Sequence, residues 1–242
     1  SLWKGIALGE TGFLTIAAEY KDQKHTERSG YDMRQQYPKI NGAFDPREIT
    51  INRYNAWYGA PEMKQSTVFA NAGIDLADGV KAYGWASYQK RDSRSGGFFR
   101  WANDPRNIPS IYPDGFLPII APVVDDYAAT GGITWNLGEW AMDASRGYGK
   151  NKMDFTIENT LNRSIGPTSK TAFAAGGFSY DQSVLNVTGV RALPVDGISS
   201  PLNVALGIEA RREGYSEFAG EPDSYRFGGE LLPSGLPTAP GA

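Results

Sequence analysis

The chain has 242 residues, with 24 Lys and Arg residues against 27 Asp and Glu residues and a formal net charge of -3. It has no Cys and a single His, His25, which excludes disulfide bonds, a thiol nucleophile, a Cys-ligated zinc site, an iron–sulfur cluster and a metal site built on two His side chains. We predict no metal ion and no cofactor. The slightly acidic balance provides no extended basic surface for a nucleic-acid backbone, so we expect no nucleic-acid partner.

The composition favours a β protein with many turns. Glycine accounts for 29 of the residues and aromatic side chains for 12% of the chain. The longest mostly apolar, uncharged segment, 115–124, is about half the length that a helix needs to cross a bilayer. We therefore expect no membrane-spanning helix.

Alternation of apolar and polar residues with a period of two dominates the chain and predicts strands with one apolar face. In the first such segment, Leu14, Ile16 and Ala18 share a face, and a long polar loop follows. The predicted strands cover approximately residues 12–22, 66–76, 80–92, 126–137, 140–157, 178–193 and 202–213.

Two dipeptides predict tight hairpins. Asp78-Gly79 is the strongest hairpin signal, and a regular two-residue turn there places Ile74 opposite Tyr83, which puts Tyr83 on the apolar face. Gly138-Glu139 forms the second turn, and it places Trp135 opposite Met142.

The last predicted strand has the cleanest pattern. Leu206 and Ile208 lie on one face, and Glu209 and Arg211 lie on the other. The predicted outward-facing side chains of all the strands are Leu14, Ile16, Val68, Ala70, Ile74, Tyr83, Trp85, Ile133, Trp135, Val204, Leu206 and Ile208.

One charged residue conflicts with this pattern. The register that turns Met142 and Ala144 outward also turns Arg146 outward. Either a bulge at Gly147 or Gly149 reverses its facing, or, if the apolar face contacts a membrane, this part of the strand lies higher in that membrane. We favour the bulge.

The connections are sorted by length. Short turns lie near 77–80, 137–140 and 194–201, and long loops lie at the other end of the strands. This sorting is typical of outer-membrane barrels, with short periplasmic turns and long extracellular loops. We predict an all-β fold: an antiparallel up-and-down transmembrane β-barrel segment of about seven strands, with residues 1–242 forming one partial barrel.

Several segments together carry a family resemblance. The most distinctive is the Ile-Tyr-Pro-Asp-Gly-Phe-Leu-Pro-Ile-Ile run at 111–120. The others lie at 12–21, 41–47, 53–55, 72–76, 148–151, 175–178, 180–182 and 209–215. In their order and spacing they resemble the first part of the barrel of a TonB-dependent outer-membrane receptor.

The resemblance implies a location in the cell outer membrane of a Gram-negative bacterium and a role in active import of a scarce nutrient such as a ferric siderophore. Such receptors have a plug domain and a barrel of about 22 strands. Without a plug in this sequence, we expect a fragment whose partners are outer-membrane lipid, a small nutrient ligand such as an iron chelate, and the TonB complex through the missing plug domain. The alternative is a soluble all-β carbohydrate-binding or carbohydrate-active domain.

We predict no catalytic activity, since the sequence offers no credible nucleophile and base. The adjacent carboxylates Asp125 and Asp126 would point to opposite faces of a strand. Residues in the second long loop combine cations with aromatic rings suited to an anionic or aromatic nutrient, with simple loop packing as the alternative. These candidate ligand-binding residues are Arg94, Phe98, Phe99, Arg100, Trp101 and Tyr112.

Overall fold

Eight antiparallel strands form one open sheet in up-and-down order in the computed structural model, which describes residues 1–232, 234–238 and 240–241. The strands are β1 (Leu2–Leu8), β2 (Gly12–Gln23), β3 (Glu62–Ala77), β4 (Val80–Gly96), β5 (Ile119–Leu137), β6 (Trp140–Glu158), β7 (Ala172–Leu193) and β8 (Leu202–Ala219). The helices are short: α1 (Arg47–Thr50) and two 3₁₀ segments, Arg163–Thr168 and Pro222–Ser224. None of the helices in the described ranges is long and apolar enough to cross a membrane.

The strand count corrects the sequence prediction of about seven strands, because β1 was missed. β1 pairs with β2 along its whole length, from Leu2 opposite Ala18 to Leu8 opposite Gly12. Its sequence lacks a period of two, since Lys4 interrupts the apolar residues of one face and Gly5 those of the other. Its strand conformation therefore depends on the hydrogen bonds that the edge of β2 offers.

The seven predicted strands are present, and most are longer than predicted at the loop end. β5, for example, begins at Ile119 and β8 ends at Ala219. Toward this end of the sheet the apolar and polar alternation fades, as at Lys90, Asp125 and Lys152, which lie next to one another across the sheet. The backbone ladder continues there without an apolar pattern to mark it.

The β3–β4 hairpin differs in register from the prediction. Ala77 faces Val80, but a bulge between Asp75 and Ala77 moves every later pair by one residue, so that Ile74 lies opposite Ala82 and Gly73 opposite Tyr83. The prediction that Tyr83 and Trp85 share the apolar face is therefore wrong. A one-residue shift places both on the opposite face.

The β5–β6 hairpin has the predicted register, with Trp135 opposite Met142. This ladder runs without interruption, so the predicted bulge at Gly147 or Gly149 is wrong. Arg146 lies opposite Gly131, on the same face as Ala144, and is exposed.

The sheet has one apolar and one polar face. The apolar face carries Leu14, Ile16, Val68, Ala70, Ile74, Ile133, Trp135, Val204, Leu206 and Ile208, as predicted. The polar face carries residues such as Thr15, Asn71 and Thr130. No second layer covers either face within the described residues, and Leu206 and Ile208 are 64% and 77% exposed.

The buried side chains lie at the loop end of the sheet instead. Ile108, Phe116 and Leu161 form a small apolar cluster among the loops. Tyr37, from the first long loop, and Phe173, at the start of β7, are also fully buried. The organised interior of the described chain is thus built largely from segments that connect the strands.

Candidate functional site

The long connections pack into a single structure at one end of the sheet, which we call the loop cap. It consists of residues 24–61, 97–118, 159–171, 220–232, 234–238 and 240–241. The Asn103 amide donates to the Gln36 carbonyl (2.9 Å), joining the first loop to the second. The Tyr112 hydroxyl donates to the Thr160 carbonyl (3.2 Å), joining the second to the third. The short turns lie at the opposite end of the strands.

The third loop is tied to the segment that follows β8. The buried Asn162 side-chain amide donates to the carbonyl oxygens of Asp223 (2.9 Å) and Arg226 (3.0 Å). The Gly228 amide donates to the Ser164 hydroxyl oxygen (2.9 Å). These contacts are long-range, so the cap holds its shape through tertiary packing.

A recurrent Asp-x-Arg turn shapes the first two loops. In each case the aspartate accepts hydrogen bonds from the backbone amide and from the guanidinium of the arginine two residues later, at distances of 2.7–3.2 Å. Such forked pairs combine charge with fixed geometry. The three pairs are Asp32–Arg34, Asp45–Arg47 and Asp104–Arg106.

These pairs keep their carboxylates ionised. Hydrogen bonds from Arg34 hold the pKa of Asp32 well below its usual value, against the opposing effect of burial. At Asp104 burial raises the pKa, but the hydrogen bonds from Arg106 outweigh burial and leave the pKa below its usual value. The arginines are thereby held in position by buried or half-buried anions.

A first cavity, the tyrosine cleft, lies between the first and second loops and has a volume of about 550 Å³. Tyr37, Asn52, Phe99 and Asp114 are among its lining residues. The Tyr37 hydroxyl donates to Asp114 Oδ1 (2.7 Å), and burial together with this bond raises the pKa of Tyr37 to about 12. The cleft presents a neutral phenol, amides, an aromatic ring and the charged groups of Arg47 and Asp114.

A second cavity, the arginine pocket, lies between the second and third loops and has a volume of about 410 Å³. Arg100, Arg106 and Arg163 line it, together with Phe98 and Phe116. Burial and the nearby charge of Arg106 lower the pKa of Arg100, although a guanidinium stays protonated at physiological pH. The Arg163 Nε is buried, and no hydrogen-bond partner for it exists in the described part of the chain.

The structure separates the six predicted ligand residues into groups. Phe98 and Arg100 come together in the arginine pocket, and Phe99 lines the tyrosine cleft. Arg100 forms a backbone bridge with Phe116. Neighbouring side chains in such extended backbone point in opposite directions, so Phe99 and Arg100 line different cavities.

The other three predicted residues make structural contacts outside both cavities. Arg94 pairs with Glu158 (2.5 Å). Trp101 lies beneath the Arg34 guanidinium, 4.4 Å from its ring centre. Tyr112 packs against the apolar cluster of the cap. Trp101 and Tyr112 thus take part in loop packing, whereas the contact of Arg94 joins two strands, β4 and β6.

Sequence reasoning missed Tyr37, Arg106 and Arg163. Arg106 carries a local signal, because Asp104-Pro-Arg106 repeats the tripeptide Asp45-Pro-Arg47. Arg163 carries none, since it enters the pocket from a different loop. The adjacent carboxylates Asp125 and Asp126 point to opposite faces as predicted, with Tyr88 donating to Asp125 and Asn151 to Asp126.

No group of three or more His, Asp or Glu side chains suited to a metal ion occurs in the ranges that the structure covers. No protein-family model matches the sequence, and no curated protein matches it significantly.

Proposed function

We propose that this chain is part of the β-barrel of an outer-membrane active transporter of the TonB-dependent receptor type, which imports a scarce nutrient such as a ferric siderophore with energy coupled through TonB. The observation that carries the proposal is the sheet itself: it is wide, uncovered on both faces, apolar on one and polar on the other. Its connections are sorted into short turns and a packed loop cap. In a barrel the apolar face meets lipid and the polar face lines the lumen.

Aromatic side chains at both ends of the apolar band support a membrane position. Tyr88, Tyr127 and Tyr148 are exposed on the apolar face on the loop side, and Trp135 and Trp140 lie on the turn side. Between Tyr127 and Trp135 the strand covers about 27 Å. At a tilt of about 35–45° this corresponds to roughly 20 Å of height, close to the apolar band of about 25 Å in transmembrane barrels.

The direction of the apolar band supports the same proposal. The apolar residues are centred on Ile16 in β2 and on Leu206 in β8. The strand pairing, followed across the sheet from Ile16, leads to Arg212 on β8, six residues from Leu206. The band is therefore displaced by about 20 Å along the strands over about 29 Å across the sheet, a slope of about 35°. Strands in transmembrane barrels tilt by about 35–45°, so a band with this slope would run level with the membrane.

Arg146 lies inside the apolar band, one apolar-face position from its aromatic end. It precedes Tyr148 on the apolar face of β6, next to the aromatic end of the band. An arginine at that depth can extend its charged group toward the headgroups while its methylenes lie against apolar surface. Since the strand pairing excludes the bulge, we propose the other alternative, that this part of β6 lies higher in the membrane.

The edges of the sheet support a partial barrel. β1 and β8 each pair on one side only, and a barrel closes such edges with further strands. In the proposed protein, sequence outside these residues supplies those strands and the plug domain that contacts the TonB complex. A soluble carbohydrate-binding domain would instead cover its apolar face with a second layer.

A cysteine-labelling experiment tests the proposal, because the sequence has no native Cys. Tyr54→Cys lies in the first long loop and Asp78→Cys in a short turn, and both positions are exposed. In intact cells producing the complete gene product, a membrane-impermeant maleimide should label Tyr54→Cys and not Asp78→Cys. Equal labelling of the two, or recovery of the protein in a soluble fraction, would contradict an outer-membrane barrel.

A further inference from the structure

The arginine pocket contains more positive charge than its acidic neighbours neutralise. Asp104 pairs with Arg106 at 2.8 Å. Over the ranges that the structure describes, neither Arg100 nor Arg163 has a carboxylate within 4.0 Å of its guanidinium. Among the described residues, Asp104 places a favourable charge near Arg100 but is already paired with Arg106, so the lining of this small cavity carries a net positive charge.

Each of these groups has an unmet interaction. The Nε of Arg163 is removed from water without an acceptor among the described residues, and a buried donor in that state is destabilising. Burial and the nearby charge of Arg106 disfavour the charge of Arg100, and together they outweigh the favourable charge of Asp104. An anion in the pocket would supply negative charge beside Arg100 and Arg163, which both line it.

The rest of the wall is apolar. Phe116 and Leu161 are buried in the floor of the pocket, and Ile120 and Ile157 extend it. Phe98 stands at the pocket with 69% of its surface exposed. A small inorganic anion would leave these surfaces unoccupied.

We propose that the arginine pocket binds an organic anion with a carboxylate group on an aromatic or otherwise apolar body. The carboxylate accepts hydrogen bonds from Arg100 and Arg163, whose planar guanidinium groups suit its geometry, and the body lies against Phe98 and Phe116. The role of this anion as cargo rests on the proposed transport function, whereas its binding does not.

Calorimetry on the complete gene product, purified in detergent, tests the proposal with phthalate as the probe. Benzamide is the neutral aromatic comparison, and inorganic phosphate is the anion without an apolar body. Phthalate should bind about tenfold or more tightly than either. No phthalate binding, or phosphate binding of equal strength, would overturn the proposal.

Substitutions assign the effect to the pocket. Arg100→Gln and Arg163→Gln should each weaken phthalate binding about tenfold or more. Arg94→Gln is the matched control, because Arg94 lies at the same end of the sheet but pairs with Glu158 outside the pocket, and it should change binding by less than about twofold. An equal effect of Arg94→Gln would mean that general charge, not the pocket, attracts the anion.

Two further variants separate binding from folding. Phe98 is exposed, so Phe98→Ala should leave the fold intact and weaken phthalate by about threefold while leaving phosphate unchanged. Arg163→Lys keeps the charge but loses the planar guanidinium, so its affinity for phthalate should lie between those of the native protein and Arg163→Gln. A soluble location with phthalate binding retained would contradict the proposed function alone, whereas an outer-membrane location without phthalate binding would contradict this inference alone.

Discussion

At the scale of single residues, two glycines with the same backbone conformation have different surroundings in the loop cap. Gly42 has a φ of 83° and Gly115 a φ of 84°, a region that L side chains rarely adopt. No atom lies within 4 Å of the position that a Cβ would take at Gly42. At Gly115 the same Cβ would collide with the carbonyl oxygen of Arg100 and the backbone of Trp101. Of these two glycines, only Gly115 combines a conformational requirement with a steric one.

Alanine at these positions should therefore have unequal effects. Gly42→Ala should cost about 1 kcal/mol of stability, from backbone conformation alone. Gly115→Ala should cost more and should open the second loop, because the Arg100–Phe116 bridge beside it has to move. The measurement is the rate of protease cleavage within 97–118 in the purified complete protein, and equal rates for the two variants would contradict the expectation.

The Asp32–Arg34 pair should make the first loop sensitive to acid. The pKa of Asp32 is lower in the folded chain than in the unfolded chain, so the carboxylate stabilises the fold above its ordinary pKa of about 4. That stabilisation is lost as the pH falls below this value. Pepsin cleavage within 24–61 should increase as the pH is lowered from about 5 to about 3, and Asp32→Asn should flatten the increase. Asp78→Asn, in a short turn, is the control, and a profile for Asp32→Asn that matches the native one would exclude this role.

At the scale of secondary-structure elements, β8 separates the two chemical environments of the sheet most clearly. Leu206 and Ile208 alternate with Glu209 and Arg211, as the sequence predicts. Only one facing of the strand keeps Glu209 and Arg211 on the polar side, while Arg212 shares the apolar face six residues beyond Leu206 toward the loop end. Its two faces can be compared by substitutions one residue apart.

In the proposed transporter, we expect Leu206→Arg to impair assembly of the complete gene product by about 2–4 kcal/mol, since the residue lies at the middle of the apolar band. Ala205→Arg should be tolerated far better, because residue 205 faces the polar side of the sheet. The amount of heat-modifiable folded barrel in outer-membrane extracts measures the difference. Equal amounts, or more of Leu206→Arg, would mean that the lipid-facing side has been assigned incorrectly.

At the scale of the whole molecule, the chain consists of an exposed sheet and a packed cap. The sheet buries little apolar surface of its own, while the loops enclose the cluster of Ile108, Phe116 and Leu161. In the proposed transporter, lipid covers the apolar face, the lumen solvates the polar face and further strands complete the edges. The cap then stands at the extracellular end, where its two cavities are accessible to a ligand.

The sequence by itself determined seven of the strands, their pairing in chain order and the facing of most of their apolar residues. Alternation is a local property with a period of two, and Gly79 and Gly138 supply the positive φ that tight turns require. The tertiary structure alone decided the Leu76 bulge, the strand conformation of β1 and the convergence of Arg100 and Arg163. Each of these depends on a partner segment: the bulge on the ladder with β4, β1 on the edge of β2, and the pocket on contacts between loops that are separated in the chain. The alternation within one segment does not reveal these contacts, because they exist only when the two segments meet in the folded chain.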